Sequence, residues 1–340
     1  MSIVPIHIRT WAEVSAGTKW HGLLVGNGGS IALHPAFDYA SLHAAAVHAG
    51  RLPKTQNLFA ALPGGTTNFE SVMLALSHAT TVGLVLGTPT APATDAYDEV
   101  RRALIETIET VHCTHAEVQD DLAKIAFFSK QFETVVTFNY DLTLYWAMLE
   151  ANDLHGQWFK DGFVDERAFK HVGWQTLRRP YGTEGTTLVF FAHGSLILGR
   201  DPSGRESKVV TGSSPNLFCA IAANWKNGGV TPLFVSEGTA AEKRAAIRRS
   251  RYLSVVYDDV LTDFEGRNVV VYGLSFAAND VHLLEALAKA PPAQLAVSVH
   301  CAQEGSAQVF CHQVLADVRQ VLPDLNVSFF DAASPDCWNN

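Results

Sequence analysis

Short apolar runs of strand length, each ending in small or polar residues, alternate with helical patterns along this chain, and that alternation restricts what it can fold into. Leu23-Leu24-Val25, Val135-Val136-Thr137 and Val189-Phe190-Phe191 read as buried strands, and further strands are expected at 231–235, 268–272, 295–300 and 326–330. Strands alternating with helices predict an α/β, Rossmann-like parallel sheet covered by helices. At 340 residues the chain is read as a single domain, 1–340, with a helical insertion at 39–130 and an irregular excursion at 152–186.

Several helix boundaries have local signals. Thr67-Asn68-Phe69-Glu70 has capping-box spacing, with Thr67 as N-cap of a helix running through Ser77. Val100, Leu104, Ile108 and Val111 mark one face of a helix that Thr94 would cap, after a connecting loop carrying Pro89 and Pro92. Helices are also expected from Leu142 to Ala151, from a Thr239 cap to about Asp259, through Lys289, and around 307–322.

Composition narrows the function classes. A net charge of -9 argues against a general nucleic-acid surface. The five cysteines are scattered with no Cys-x-x-Cys pair, which fits neither a disulfide framework nor a zinc ribbon, so no metal is expected. No apolar stretch approaches a membrane span, and Met1 to Val14 has no run of signal-peptide length. A cytoplasmic protein that does not engage membranes is the expectation.

The chemistry lies where strands end, because open α/β sheets bind ligands outside the carboxyl ends of their strands. Gly26-Asn27-Gly28-Gly29-Ser30 follows the first strand. Glycines there let backbone N–H groups approach a phosphate closely. Neither the dinucleotide G-x-G-x-x-G nor the P-loop lysine is present, since position 31 is Ile31. Asn139 and Asp141 follow the second strand, His193-Gly194-Ser195 the third, and Gly273, Ser275, Asn279, Asp280 and His282 a fourth. A plainer account stands beside each one. Glycine turns occur without ligands, Asn and Asp shape turns, Asp280 suits a helix N-cap, and a histidine in an apolar run reads as a hydrogen-bonded core residue.

In order and spacing these pieces resemble the sirtuin-like superfamily. Gly26-Asn27-Gly28-Gly29-Ser30 looks like its glycine loop, Phe138-Asn139-Tyr140-Asp141 like its Gln-Asn-x-Asp motif, and His193-Gly194 like its later His-Gly pair. The form Thr137 to Asp141, Asn68-Phe69-Glu70, and Gly273-Leu274-Ser275-Phe276 with Asp280 and His282 are similar to bacterial anti-phage-defence members that hydrolyse NAD. The run from Phe234-Val235-Ser236-Glu237-Gly238 through Ser254 resembles an uncharacterised bacterial branch. The zinc ribbon of deacetylases and the loop that follows their glycine turn are absent.

The resemblance implies NAD as a substrate rather than a hydride carrier, cleaved to nicotinamide and ADP-ribose. It implies that Gly26, Asn27, Gly28, Gly29, Ser30, Gly273, Ser275 and Asp280 bind the nucleotide. Asn139 would hold the ribose and position water, Asp141 would support that loop, and His193 would act as general base or ribose partner. A homo-oligomer or a defence-system partner is also implied. Two alternatives remain: a non-catalytic nucleotide sensor, and an NAD-dependent deacylase or ADP-ribosyltransferase. Among weaker signals, His112, Cys113 and His115 do not converge well on a metal, Cys301, Cys311 and His312 suit a packed edge, and the basic cluster Lys243, Arg244, Arg248, Arg249 and Arg251 reads as a solvated helix face.

Overall fold

A computed structural model describes residues 5–38, 41–164, 168–201, 203–209, 217–226, 230–235, 240–276, 280–300 and 303–340. Its strands are β1 (Ile8–Arg9), β2 (Gly22–Val25), β3 (Thr134–Thr137), β4 (Phe159–Lys160), β5 (Thr187–Phe191), β6 (Gly194–Arg200), β7 (Glu206–Lys208), β8 (Thr231–Phe234), β9 (Asn268–Tyr272), β10 (Gln294–Val299) and β11 (Asn326–Asp331). Eight of them form one parallel sheet in the order β1-β11-β10-β9-β2-β3-β5-β4. β6, β7 and β8 make a separate antiparallel sheet in the order β7-β6-β8.

The sheet is centred on β2, where Leu24 is in register with Val136 of β3 and Val271 of β9. β2, β3 and β5 are buried along their whole length, which is why their centres are consecutive apolar residues rather than alternating ones, with threonines at the ends of β3 and the start of β5. From β2 the chain builds outward through β3 and β5 on one side, then crosses to β9, β10 and β11 on the other. The order therefore reverses between β2 and β9, and the carboxyl ends of those two strands open on the crevice.

The helices are α1 (Trp11–Ser15), α2 (Asn27–Ile31), α3 (Leu42–His48), α4 (Gln56–Ala61), α5 (Phe69–Leu86), α6 (Ala91–Val111), α7 (His115–Ser129), α8 (Thr143–His155), α9 (Leu217–Lys226), α10 (Ala240–Arg248), α11 (Arg251–Val255), α12 (Val281–Ala288) and α13 (Glu304–Val321). No helix among the described residues is long and apolar enough to cross a membrane. α3 to α7 occupy the stretch expected to be helical, although Tyr39 lies outside the described residues.

Several boundaries differ from the sequence expectation. The N-cap of α5 is Asn68, whose side chain accepts from Ser71 N–H at 3.0 Å, not Thr67. α5 also runs nine residues beyond Ser77 and stops at Gly87, which takes the left-handed conformation that glycine adopts without penalty. α6 starts at Ala91 behind Thr90 rather than after Thr94, because Pro92 sits in the first turn, where a missing N–H costs nothing. The helix expected up to Asp259 breaks at Ser250, whose hydroxyl caps a new helix by accepting from Leu253 N–H at 3.1 Å. Its Thr239 cap lies outside the described residues. The segment 152–186 adds edge strand β4 and buries Trp174 against Phe190.

Gly194-Ser195, which follow the third expected strand, open the further strand β6. Gly194 has φ +74°, and a Cβ there would lie 2.1 Å from the Leu233 carbonyl oxygen on β8. Gly194→Ala is expected to lose about 2–5 kcal/mol from left-handed strain and overpacking against fixed backbone. Gly50 has φ +65° in open space, so Gly50→Ala should lose only about 1 kcal/mol. Chemical denaturation of both variants checks this, and equal losses would disprove the steric part of the argument.

Candidate active site

The glycine loop does not form a free turn. Gly26 is extended and precedes the short helix α2, so Asn27 to Ile31 is helical where the sequence reads as a turn. Gly26 N–H donates to Tyr272 O at 2.9 Å, and Gly28 N–H donates to Gly273 O at 2.8 Å. A Cβ on Gly26 would come within 2.6 Å of Gly273 O, and one on Gly28 within 2.8 Å of Gly273 Cα. Gly273 itself has φ +66°, with Gly29 N only 2.3 Å from where its Cβ would stand. These glycines are needed for loop-to-loop contact whether or not a phosphate binds. Gly29 is backed by Trp338, whose indole N–H donates to Gly29 O at 2.8 Å.

Beside this contact opens a cavity of about 760 Å³. Asn27 and Gly28 line it from α2, Gly273 and Ser275 from the loop after β9, and Ser298 and His300 from the end of β10. Its volume is in the range of small-molecule sites.

Beneath the loop, Ser30, Asn139 and Asp141 form one network. Asn139 Nδ2 donates to Gly26 O at 2.9 Å and to Ser30 Oγ at 2.8 Å. Ser30 Oγ–H donates to Asp141 Oδ2 at 2.5 Å, and Asp141 Oδ1 accepts from Thr143 N–H and Oγ–H at 2.8 and 2.6 Å. Ser30 and Asp141 are buried. Asn139 Oδ1 accepts no hydrogen bond among the described residues, so its carbonyl is the group in this network left for a ligand.

His193 lies in a different centre, 5% exposed. Its Nε2 is 3.1 Å from His282 Nε2, and its ring meets Phe138, the neighbour of Asn139, edge-on at 5.2 Å. Burial above all, with the Lys243 ammonium and His282 adding to it, holds His193 well below the usual imidazole range, so the ring is neutral. Tyr257 stacks on both imidazoles, and burial followed by the Asp280 charge pushes its phenol well above its usual value. Asp280 Oδ1 accepts from Lys243 Nζ at 2.7 Å. One potential ligand atom from each of His193, Asp280 and His282 lies within 4.8 Å of the others, so these three residues have the reach to hold a metal ion.

Residues 23–338 match the family described as "Domain of unknown function (DUF4917)". The chain belongs to the DUF4917 family. No curated protein matches it in sequence. Among solved structures it is similar to one described as "Structural Basis for the Mechanism and Regulation of Sir2 Enzymes", with 13% identity and a TM-score of 0.33 over 92% of this chain and 97% of that chain.

In this DUF4917 chain the residues singled out from sequence fall into three groups. Asn27, Gly28, Gly273 and Ser275 line the cavity, while Gly26 and Gly29 shape its floor. Ser30, Asn139 and Asp141 brace that floor. His193 and Asp280 do not line the cavity. Asp280 is instead paired with Lys243, which corrects the view of Lys243 as part of a solvated face. Arg244 and Arg248 do sit on that face, paired with Glu285 and Asp258. Asn279, Ser236, Glu237, Gly238 and Cys301 lie outside the described residues.

His112 has both ring nitrogens engaged, Nδ1 donating to Cys113 O at 2.7 Å and Nε2 accepting from Leu142 N–H at 3.0 Å. Sequence reasoning gave no role to Tyr257, His300 or Trp338, and placed Lys243 only on a solvated helix face. Only His282, two residues from Asp280, stood in a quoted motif.

The Lys243–Asp280 pair has side chains 7% and 17% exposed, whereas the Arg244–Glu285 side chains are about half exposed. Lys243→Met should therefore cost about 3 kcal/mol, mostly by stranding a buried carboxylate. Arg244→Met should cost less than about 0.5 kcal/mol. Urea titration of the two variants side by side checks the contrast.

Proposed function

We propose that this DUF4917 protein binds NAD in the cavity beside the glycine loop and hydrolyses the bond between nicotinamide and ribose. The observation that carries the reading is the cavity at the point of sheet reversal, walled by Gly28 and by Gly273 and Ser275 from two loops singled out by their motifs. The ADP portion would lie there, its phosphates against the Gly26–Ser30 and Gly273 backbones. Asn139 Oδ1 would accept from a ribose hydroxyl or from the attacking water, and Asp141, through Ser30, would keep the amide in that orientation. His193, behind Phe138, would serve as general base or ribose partner. Water adds to the ribose carbon as nicotinamide leaves with the bonding pair, giving ADP-ribose and a proton. In the anti-phage setting that the motifs suggest, loss of cellular NAD would be the output.

One observation favours a second reading, a nucleotide sensor without turnover. His193 is buried with its Nε2 already against His282, and the Asn139 amide N–H groups are already engaged. A site committed in this way suits binding as well as it suits catalysis.

Incubating the protein with NAD and following both nicotinamide release and bound NAD separates the two readings. On the first, nicotinamide accumulates, and Asn139→Ala lowers its rate by about 100-fold or more while circular dichroism stays unchanged. On the second, NAD binds and no nicotinamide appears. Ala32, exposed on the lip of the cavity, offers a test common to both. Ala32→Trp should weaken NAD binding about tenfold or more by filling the entrance, and unchanged affinity would move the nucleotide elsewhere.

A further inference from the structure

The centre around His193 contains more buried polar chemistry than NAD hydrolysis employs. The Nε2 atoms of His193 and His282 face each other at 3.1 Å. In a tetrahedral site with metal–nitrogen bonds of about 2.0 Å, ligand atoms stand about 3.3 Å apart, so the two nitrogens are already spaced to share an ion. An oxygen of Asp280 is within 4.8 Å of both.

A separate observation points the same way. The Tyr257 hydroxyl is buried, lies on the ring stacked against both histidines, feels the Asp280 charge, and has no hydrogen-bond partner among the described residues. An orphaned hydroxyl in a buried polar centre marks the place of an ion or water.

We propose that His193, His282 and Asp280 bind a transition-metal ion of the imidazole-preferring kind, with zinc as the representative and the Tyr257 hydroxyl as a further donor, directly or through water. Lys243 sets the selectivity. It occupies Asp280 Oδ1 at 2.7 Å, fixing the carboxylate and cancelling its charge. Magnesium and calcium need several oxygen donors and find one neutralised carboxylate here, whereas two imidazoles suit zinc, copper or nickel. The same balance leaves the ion's charge uncompensated, so binding is weaker than at a thiolate site and brings in a hydroxide or an anionic ligand.

The inference stands whether or not NAD binds, but it excludes the general-base role proposed for His193. A bound ion would take the Nε2 lone pair that the base role needs, leaving NAD cleavage to Asn139 and the glycine loop. Nicotinamide release tests one reading and ion content the other.

The test uses the full chain, stripped with chelator and titrated with ZnCl₂, then with CoCl₂ for its visible spectrum. The expected result is a single zinc per chain, not displaced by excess Mg²⁺ or Ca²⁺, with affinity lowered about tenfold or more in His282→Ala and in Asp280→Asn. Unchanged zinc affinity in both folded variants would overturn the proposal, as would no binding by the wild type. Should His282→Ala fail to fold, the cobalt spectrum of the wild type decides. A nitrogen and oxygen donor set supports the site, and a thiolate-to-cobalt charge-transfer band places the ion on a cysteine and sinks it.

Discussion

Two backbone segments in direct contact hold the centre of this molecule. Gly28 N–H on Gly273 O and Gly26 N–H on Tyr272 O join the loop after β2 to the loop after β9 at the point where strand order reverses. The approach is too close for a Cβ on Gly26, Gly28 or Gly273. Because the contact fixes α2 against the end of β9, it also sets the floor of the cavity that opens beside it. Glycine in this position therefore serves the fold before it serves any ligand. These glycines do not by themselves call for a ligand; the cavity beside them lies where the strand order reverses, the usual place for one in such a sheet.

The two buried polar groupings differ in a way that bears on their roles. Ser30, Asn139, Asp141 and Thr143 satisfy one another almost completely and tie the loops after β2 and β3 together. A satisfied network of this kind rigidifies its surroundings and leaves little to spare. The centre at His193 joins residues from β5's end, α10, α12 and the π-helical turn Val256–Val260. It contains two imidazoles in contact, an ion pair and an unanswered phenol. Such a cluster is costly to bury and is not explained by packing alone. The first grouping positions; the second has demand that the described residues do not meet.

Much of the architecture was legible because it is local. Buried parallel strands must be apolar on both faces, so 22–25, 134–137, 187–191 and 268–272 stand out as runs, and periodicity locates α6. Helix ends were less legible. Thr67 and Asn68 are both good caps by composition, and only backbone geometry assigns the role to Asn68. Ser250 likewise restarts a helix inside a pattern that looks continuous.

What the sequence determined by itself is the alternation of buried strands and helices and the identity of the loops that end those strands, since both follow from spacing and side-chain type within a few residues. The tertiary structure alone decided which of those loops meet. It drew Lys243 out of a basic helix face onto Asp280, set His282 against His193, and brought Trp338 back onto Gly29. Each of those contacts spans 37 or more residues of chain, up to 309. The physical reason is that a charge or a ring carries no mark of its partner in its own neighbourhood; the partner is supplied by the packing of the sheet.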